Sequence, residues 1–324
     1  MTWLYILLGV VLLLLVTVLC ASFYMFRFAI ARRDKTSMEK LIQNMKDRYK
    51  DDPIKKEWGC RIEDGYKKFM EKSPKEVFMT NREGMKLCGF LLECEGATKT
   101  VIFSHGWRSI PFFDFSCIWE YYLEHKFNVL IIEHRAHRDS EGKYLYFGVK
   151  ERFDVIDWAN WTVERYGKEH KIFLSGISMG SATVMMAVGT EGLPENVVGA
   201  SCDCGYTSTS DIFRHVLKER FHLPAFPIMH VAGVISKIFA RFDFDEFTST
   251  EGVKNSKIPL LFIHGTDDDF VPVEHTYKNI EACGSEHVDV IVEGAGHGLS
   301  FFTDPDAVVT GLEKLLKKVF DDFE

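Results

Sequence analysis

The chain opens with an apolar run. Trp3 to Phe26 holds no charged residue, and Arg27 is the first. At 1.5 Å per residue this run spans roughly 35 Å as a helix, enough to cross a bilayer. From 34 to 75 the pattern becomes charged and helical. Met38, Leu41, Ile42, Met45 and Tyr49 recur at helical spacing, and Ile62, Tyr66, Phe69 and Met70 do so again. These residues predict a helical connection that packs on the edge of the domain after it. Beyond Pro74 short apolar runs take over. They predict strands over 76–80, 85–92, 100–104, 128–132, 171–175, 197–201, 257–264 and 287–292, with Asn81-Arg82-Glu83-Gly84 as the first turn.

Helical patterns separate these strands. Phe115, Ile118, Trp119, Tyr122 and Leu123 share one face of a helix predicted over 113–124. Phe153, Ile156, Val163 and Tyr166 outline another, and Ser181 to Val188 a third. Asp304 caps a last helix, with Pro305 in its first turn and Val308, Leu312, Leu315, Leu316 and Val319 on its apolar face. Strands alternating with helices predict an α/β fold with a mostly parallel central sheet flanked by helices. Residues 207–247 interrupt the rhythm. They contain no good strand but are rich in Phe, Leu, Ile, Met and Val, Phe226 and Ile235 among them. A short helical cap is the expectation, with Phe226 and Ile235 contributing to an apolar site beneath it. The division expected is an N-terminal transmembrane anchor over 1–33, a charged helical linker over 34–75, and a catalytic domain over 76–324 carrying the cap 207–247.

Charge refines the picture at two points. The net charge is −8 and no basic stripe is visible, so nucleic acid is not an expected partner. Arg27, Arg32, Arg33 and Lys35 follow the apolar run and nothing basic precedes it. That absence argues against a cleaved signal peptide and for a single-pass membrane anchor. The positive-inside rule then puts the catalytic part in the cytoplasm. The eight cysteines include no Cys-x-x-Cys pair, so reduced thiols are expected rather than structural zinc. The sequon Asn160-Trp161-Thr162 falls in a predicted helix and is expected to go unused.

The chemistry concentrates in three motifs. Gly176-Ile177-Ser178-Met179-Gly180 lies between a predicted strand and a predicted helix. A sharp turn there needs glycines and lifts the serine hydroxyl into the site, which makes Ser178 the candidate nucleophile. A serine hydroxyl needs a base, and His297, framed in Gly294-Ala295-Gly296-His297-Gly298, follows the last strand. The base needs an acid, and His264-Gly265-Thr266-Asp267-Asp268-Asp269 offers three. Any of the three aspartates satisfies chain order, which runs nucleophile, acid, histidine. The backbone N–H groups of Trp107, after His105-Gly106, and of Met179 are the candidate oxyanion donors. His134, His137 and Asp139 invite a metal reading, but nothing in their spacing makes them converge, and a serine mechanism needs no metal. No Gly-x-Gly-x-x-Gly fingerprint follows the first strands, so no cofactor is expected.

From about 76 to 320 the chain resembles the α/β-hydrolase superfamily, most of all the membrane-anchored Bem46-like serine hydrolases and related bacterial enzymes. The acid motif of that group, His-Gly-x-x-Asp-x-x-Val-Pro, falls on His264 to Pro272 and selects Asp268. A loop of the form Asp-x-Arg-Gly-His-Gly-x-Ser is matched with departures, since Glu133, Ala136 and Arg138 replace Asp, Gly and Gly. The resemblance implies a serine hydrolase. The first expectation is hydrolysis of carboxylic acyl esters, lipid-derived ones included, through an acyl-enzyme. The alternatives are an amidase or peptidase, or a thioesterase, of the same fold. Peptidases of this fold often carry a propeller, for which the chain has no room. A non-catalytic membrane-tethered binding protein is a further alternative.

Overall fold

The computed structural model describes residues 1–324 apart from positions 34, 52, 322 and 324, and apart from the side chains at 48, 49, 53 and 54. The side chain of Tyr49, placed on a helical face by its spacing, therefore lies outside the described residues. Three helices come first: α1 (Thr2–Ala29), α2 (Met38–Tyr49) and α3 (Pro53–Glu71). Next are β1 (Lys75–Thr80), β2 (Lys86–Leu92), β3 (Lys99–Ser104), α4 (Pro111–Asp114), α5 (Trp119–Glu124), β4 (Phe127–Ile132) and α6 (Glu151–Tyr166). The middle of the chain supplies β5 (Lys171–Ile177), α7 (Met179–Val188), β6 (Val197–Asp203), α8 (Thr209–Glu219), α9 (Ala225–Ala240) and α10 (Ser249–Lys254). The rest is β7 (Leu260–Gly265), α11 (Glu274–Ala282), β8 (His287–Val292), α12 (Ser300–Thr303) and α13 (Pro305–Val319).

The strands form one sheet in the order β1-β2-β4-β3-β5-β6-β7-β8. β2 runs antiparallel to both of its neighbours, and every pair from β4 to β8 is parallel. The interior strands β3 and β4 are buried along their whole length, as expected when helices cover both faces. Alternate residues serve the two cores: Ile102 packs with α6 and α7, while Val101 and Phe103 pack with α5 and α13. In register, Ser104 lies opposite both Ile132 and Gly176. The carboxyl ends of β3, β4 and β5 therefore finish level, and the loops leaving them meet at one edge, where open α/β sheets bind ligands.

Two expectations need correction. The helix over 113–124 is broken into α4 and α5, with a turn between them. Asp114 reaches back to accept the Gly106 N–H at 2.7 Å, and Phe115 stacks on Phe103 with ring centroids 4.2 Å apart. An unbroken helix could not serve both contacts. Over 207–247, where a cap is expected, the structure places α8 and α9, but Phe226 is 71% exposed on the outer side, whereas Ile235 is buried. Of the two residues expected to contribute to an apolar site under the cap, Phe226 faces away from the interior.

α1 divides at its middle. From Thr2 to Cys20 every residue but the half-buried Val18 is exposed, and from Ala21 onward the helix docks on the body. Ser22 donates to the carbonyl of Ile228 at 3.1 Å, and Phe26, Ala29 and Ile30 enter the core. α1 is the one helix among the described residues long and apolar enough to cross a membrane, by length and composition. α3 is also seated on the body, through Phe69 against Phe112 and Trp119.

Candidate active site

Ser178 stands alone between the end of β5 and the start of α7, at φ 54° and ψ −118°. That left-handed conformation costs a side-chain-bearing residue about 1 kcal/mol or more. The surrounding chain fixes it. A Cβ on Gly176 would come within 2.4 Å of the Gly180 carbonyl oxygen, and one on Gly180 within 1.8 Å of that of Ser104. The Ser178 N–H donates to the Asp203 carbonyl at 2.9 Å. The glycines that drew attention to the motif are thus needed for close backbone approach.

The Ser178 hydroxyl lies 2.9 Å from His297 Nε2. His297 Nδ1 lies 2.7 Å from Asp268 Oδ2. Of the three consecutive aspartates, only Asp268 is buried. Asp269 meets Arg220 at 3.0 Å on the surface, and Asp267 accepts from Thr266. Asp268 Oδ1 accepts the N–H groups of Phe270 and Val271 at 2.9 and 2.8 Å. Burial pushes its carboxyl up, but hydrogen bonds from His264, His297 and the Val271 N–H outweigh that, holding it well below the usual carboxylate range. His264 is clamped in turn, with Nδ1 2.6 Å from the Thr276 hydroxyl and Nε2 2.8 Å from the Val271 carbonyl.

Trp107 and Met179 sit on the two segments that flank the serine. Met179 opens α7, where a helix leaves its N–H groups without an internal partner. A Cβ on Gly106 would lie 3.4 Å from that of Ser178, so the loop after β3 passes directly against the serine. Asp114 shapes this loop by accepting the Gly106 N–H on one oxygen and the Ser109 hydroxyl on the other. Burial pushes its carboxyl up to about 6, against the pull of those two bonds. Asp114→Ala should therefore lower kcat by roughly tenfold to a hundredfold with little change in KM, the scale of a loop shifted by about 1 Å. Steady-state kinetics measure this, and an unchanged kcat would show that the loop keeps its shape without Asp114.

The histidines once open to a metal reading have other partners. His105 accepts the His134 N–H at Nε2, 3.1 Å away, and His137 accepts the Arg108 N–H at Nε2, 3.2 Å away. Burial holds His105 down to about 4, and His134 and His137 lie well below the usual histidine value. The lone pairs of His105 and His137 brace the loops after β3 and β4, while His134 Nε2 lies 3.0 Å from the Ser104 hydroxyl. Asp139 leaves the cluster altogether to pair with Lys35 at 2.6 Å. One other group, Cys204, Asp268 and His297, has donor atoms within 4.8 Å of one another. Burial pushes the Cys204 thiol well above its ordinary value, and Asp268 and His297 are already engaged with each other at 2.7 Å.

The unusual loop residues explain each other. Glu133 is fully buried, accepts the Asp139 N–H at 2.9 Å, and receives Arg138 Nε at 3.1 Å. Ala136 and Arg138 hold φ of 59° and 35°, a region that favours glycine. The larger acid and the arginine form a bond that a glycine could not make, which offsets part of that strain.

Three residues near the centre escaped sequence reasoning in these roles. Asp114 falls inside the helix expected over 113–124. His264 stood inside a quoted motif, but only the fold shows that it bonds the acid. Asp203 ends β6 half-buried, and desolvation pushes its carboxyl up to about 7. The sole signal for it was a charge at the end of an apolar strand. A cavity lined in part by Asp114, Ile177, Asp203, Gly298, Phe301 and Phe302 lies against the residues that flank Ser178 and His297.

The sheet order, the turn at Ser178 and the loops that bring His297 and Asp268 to it define an α/β-hydrolase of the serine-hydrolase type. The sequence profile of the prolyl oligopeptidase family matches residues 140–320, more than half of the chain, and the protein belongs to that family. It is 22% identical over 261 residues to the protein YqkD of Bacillus subtilis, covering 81% of this chain and 85% of that one. It is 26% identical over 236 residues to the alpha/beta hydrolase domain-containing protein 17B of Xenopus laevis, covering 70% of each. Among solved structures, the Pyrococcus furiosus esterase Pf2001 superposes with a TM-score of 0.62 at 23% identity, over 77% of this chain and 93% of that one. The acylaminoacyl peptidase of Pyrococcus horikoshii superposes with a TM-score of 0.56 at 14% identity, over 78% of this chain and 42% of that larger one.

Proposed function

We propose that the protein is a serine hydrolase that cleaves its substrate through an acyl group carried on Ser178. The observation that carries this reading is the continuous chain from Ser178 Oγ to His297 to Asp268, at 2.9 and 2.7 Å, with the serine on a strained turn. His297 Nε2 takes the hydroxyl proton as Ser178 attacks the carbonyl carbon. Asp268, ionised, stabilises the imidazolium. The N–H groups of Trp107 and Met179 receive the oxyanion. His297 then gives its proton to the leaving group, and water activated by the same imidazole releases the acid. We read residues 76–324 as the catalytic domain with the cap 207–247, residues 34–75 as its connection, and α1 as a membrane anchor of the Bem46-like kind.

The bond cleaved is the second question. Carboxylic esters were the first expectation. Membership of the prolyl oligopeptidase family, with similarity to an acylaminoacyl peptidase and to a puromycin hydrolase, favours the amide alternative instead. An esterase stands among the similar structures, and a serine amidase also cleaves activated esters. The test is a matched pair, a p-nitrophenyl ester and a p-nitroanilide of one acyl group, run from acetyl to octanoyl below micelle formation. The anilide should be turned over, and the ester should show an initial burst from acyl-enzyme formation. Ester turnover with no detectable anilide cleavage would return the protein to the esterases. Each buried methylene adds roughly 0.8 kcal/mol, so three should raise kcat/KM by roughly fiftyfold if the contact persists in the transition state.

A further inference from the structure

We propose that the outer face of α9 is a membrane-docking surface, seated in the interfacial layer of the same bilayer that α1 crosses. The inference rests on reading α1 as an anchor. It goes further by assigning the cap itself a lipid partner.

The first argument is length. The exposed part of α1, Thr2 to Cys20, measures about 28 Å at 1.5 Å per residue, close to the roughly 30 Å hydrocarbon thickness of a bilayer. Docking on the body begins at the next residues, with Ala21 half-buried and Ser22 fully buried. No spacer separates the span from the catalytic body. Whatever lies beside residues 22–30 of α1 therefore lies at the membrane surface, and the helix packed there is α9.

The second argument is continuity. Ser22 bonds the Ile228 carbonyl on α9, and Phe239 of α9 packs against Phe23 and Phe26 of α1 with ring centroids 6.3 and 6.0 Å apart. Both Phe23 and Phe239 stay about half exposed, so the bare apolar surface of α1 runs onto α9 without a polar break at this contact.

The third argument is that α9 is apolar on both sides. Its inner face is buried through Ile228, Met229, Ala232 and Ile235. One such face is enough to hold a cap helix on a core. Yet His230, Val234 and Ile238 follow each other at helical spacing on the outside, and Val234 and Ile238 are 58% and 68% exposed. Phe226 joins them by packing on His230, at 5.1 Å between centroids. Arg241 stands at the end of this stripe beside Lys237, which pairs with Asp243 at 2.8 Å; a long basic side chain there keeps its charge at the headgroups while its stem lies in the apolar layer.

The arrangement has a consequence for the site. Trp107 Nε1 donates to the Ala29 carbonyl at 2.9 Å, and Arg108 donates to the carbonyls of Phe28 and Ala31 at 2.9 and 2.6 Å. The loop beside Ser178 is thus tied to the docked end of α1. With α9 also seated in lipid, the site is held at a fixed height above the bilayer, suited to acyl groups presented from the membrane.

Photo-crosslinking of the full-length protein tests the proposal. Benzoylphenylalanine is placed singly at 12, 234, 238 and 277 in protein reconstituted into phosphatidylcholine–phosphatidylglycerol vesicles containing tritiated phosphatidylcholine. Leu12 is in the exposed part of α1, and Tyr277 is an exposed residue of α11 outside the proposed face. Fluorophosphonate labelling of each variant checks that the site has formed. Lipid adducts at 234 and 238, comparable with those at 12 and absent at 277, are expected. Lipid adducts at 12 alone would overturn the docking surface and leave the anchor standing. Protein–protein adducts at 234 or 238 would give the face to a second copy and overturn the proposal. No lipid adduct at 12 would remove the anchor reading and the inference with it.

Discussion

Ser178→Ala should fold normally and lose ester and anilide turnover by roughly 10⁴-fold or more, the scale on which removal of the attacking group acts in enzymes of this type. The change removes one oxygen whose one hydrogen-bond partner among the described residues is His297. The turn itself is imposed by Gly176 and Gly180 and by the Ser178 N–H bond to Asp203, none of which involves the side chain. Alanine carries the same Cβ at φ 54° and adds no new strain. Tm should therefore shift by no more than a few degrees while activity disappears. A fluorophosphonate should label the wild-type protein on the peptide containing Ser178 and leave the variant unlabelled. Turnover that survives in a purified, folded variant would remove Ser178 as nucleophile.

Much of this arrangement is legible in the sequence because of its physical origin. Runs such as 128–132 read as strands since a strand covered on both faces must be apolar throughout, and β4 is buried along its length. The residues around Ser178 and His297 read as site loops because glycine is required where backbones nearly touch. What the sequence does not show are contacts that depend on where the chain goes next. Asp114 fits a helix face in one dimension, and only its bond to Gly106 reveals why the helix stops. Phe226 reads as pocket lining by composition, but composition does not say which side of a cap helix faces inward. Arg32 reads as a topology signal and also bonds the carbonyls of Arg138, Ser140 and Gly142, so part of its charge serves to dock the segment after α1. Glu133 and Arg138 look like two separate departures from a loop pattern until the fold pairs them.

Asp268→Asn should cost about 10⁴-fold in kcat, whereas Asp203→Asn, Asp267→Asn and Asp269→Asn should each stay within about tenfold of wild type. The acid has two tasks: to fix the His297 tautomer and to remain charged while the imidazolium forms. Asp268 meets the first through the 2.7 Å bond to Nδ1. It meets the second because its hydrogen bonds overcome burial and keep it ionised far below neutral pH. Asparagine at 268 can present its amide to Nδ1 but carries no charge and permits the wrong tautomer. Asp203 is the serious rival, being half-buried and close enough to feel both His297 and Asp268. Burial raises its carboxyl to about 7, and its Oδ1 has no hydrogen-bond partner among the described residues. Near neutrality it is partly protonated, so it cannot supply a full charge when the proton moves. Asp267 and Asp269 are exposed, where water screens them from the imidazole. The four variants compared at one pH, with circular dichroism to confirm the fold, decide the matter. A loss at 203, 267 or 269 that exceeds the loss at 268 would move the acid, and with it the geometry on which the mechanism stands.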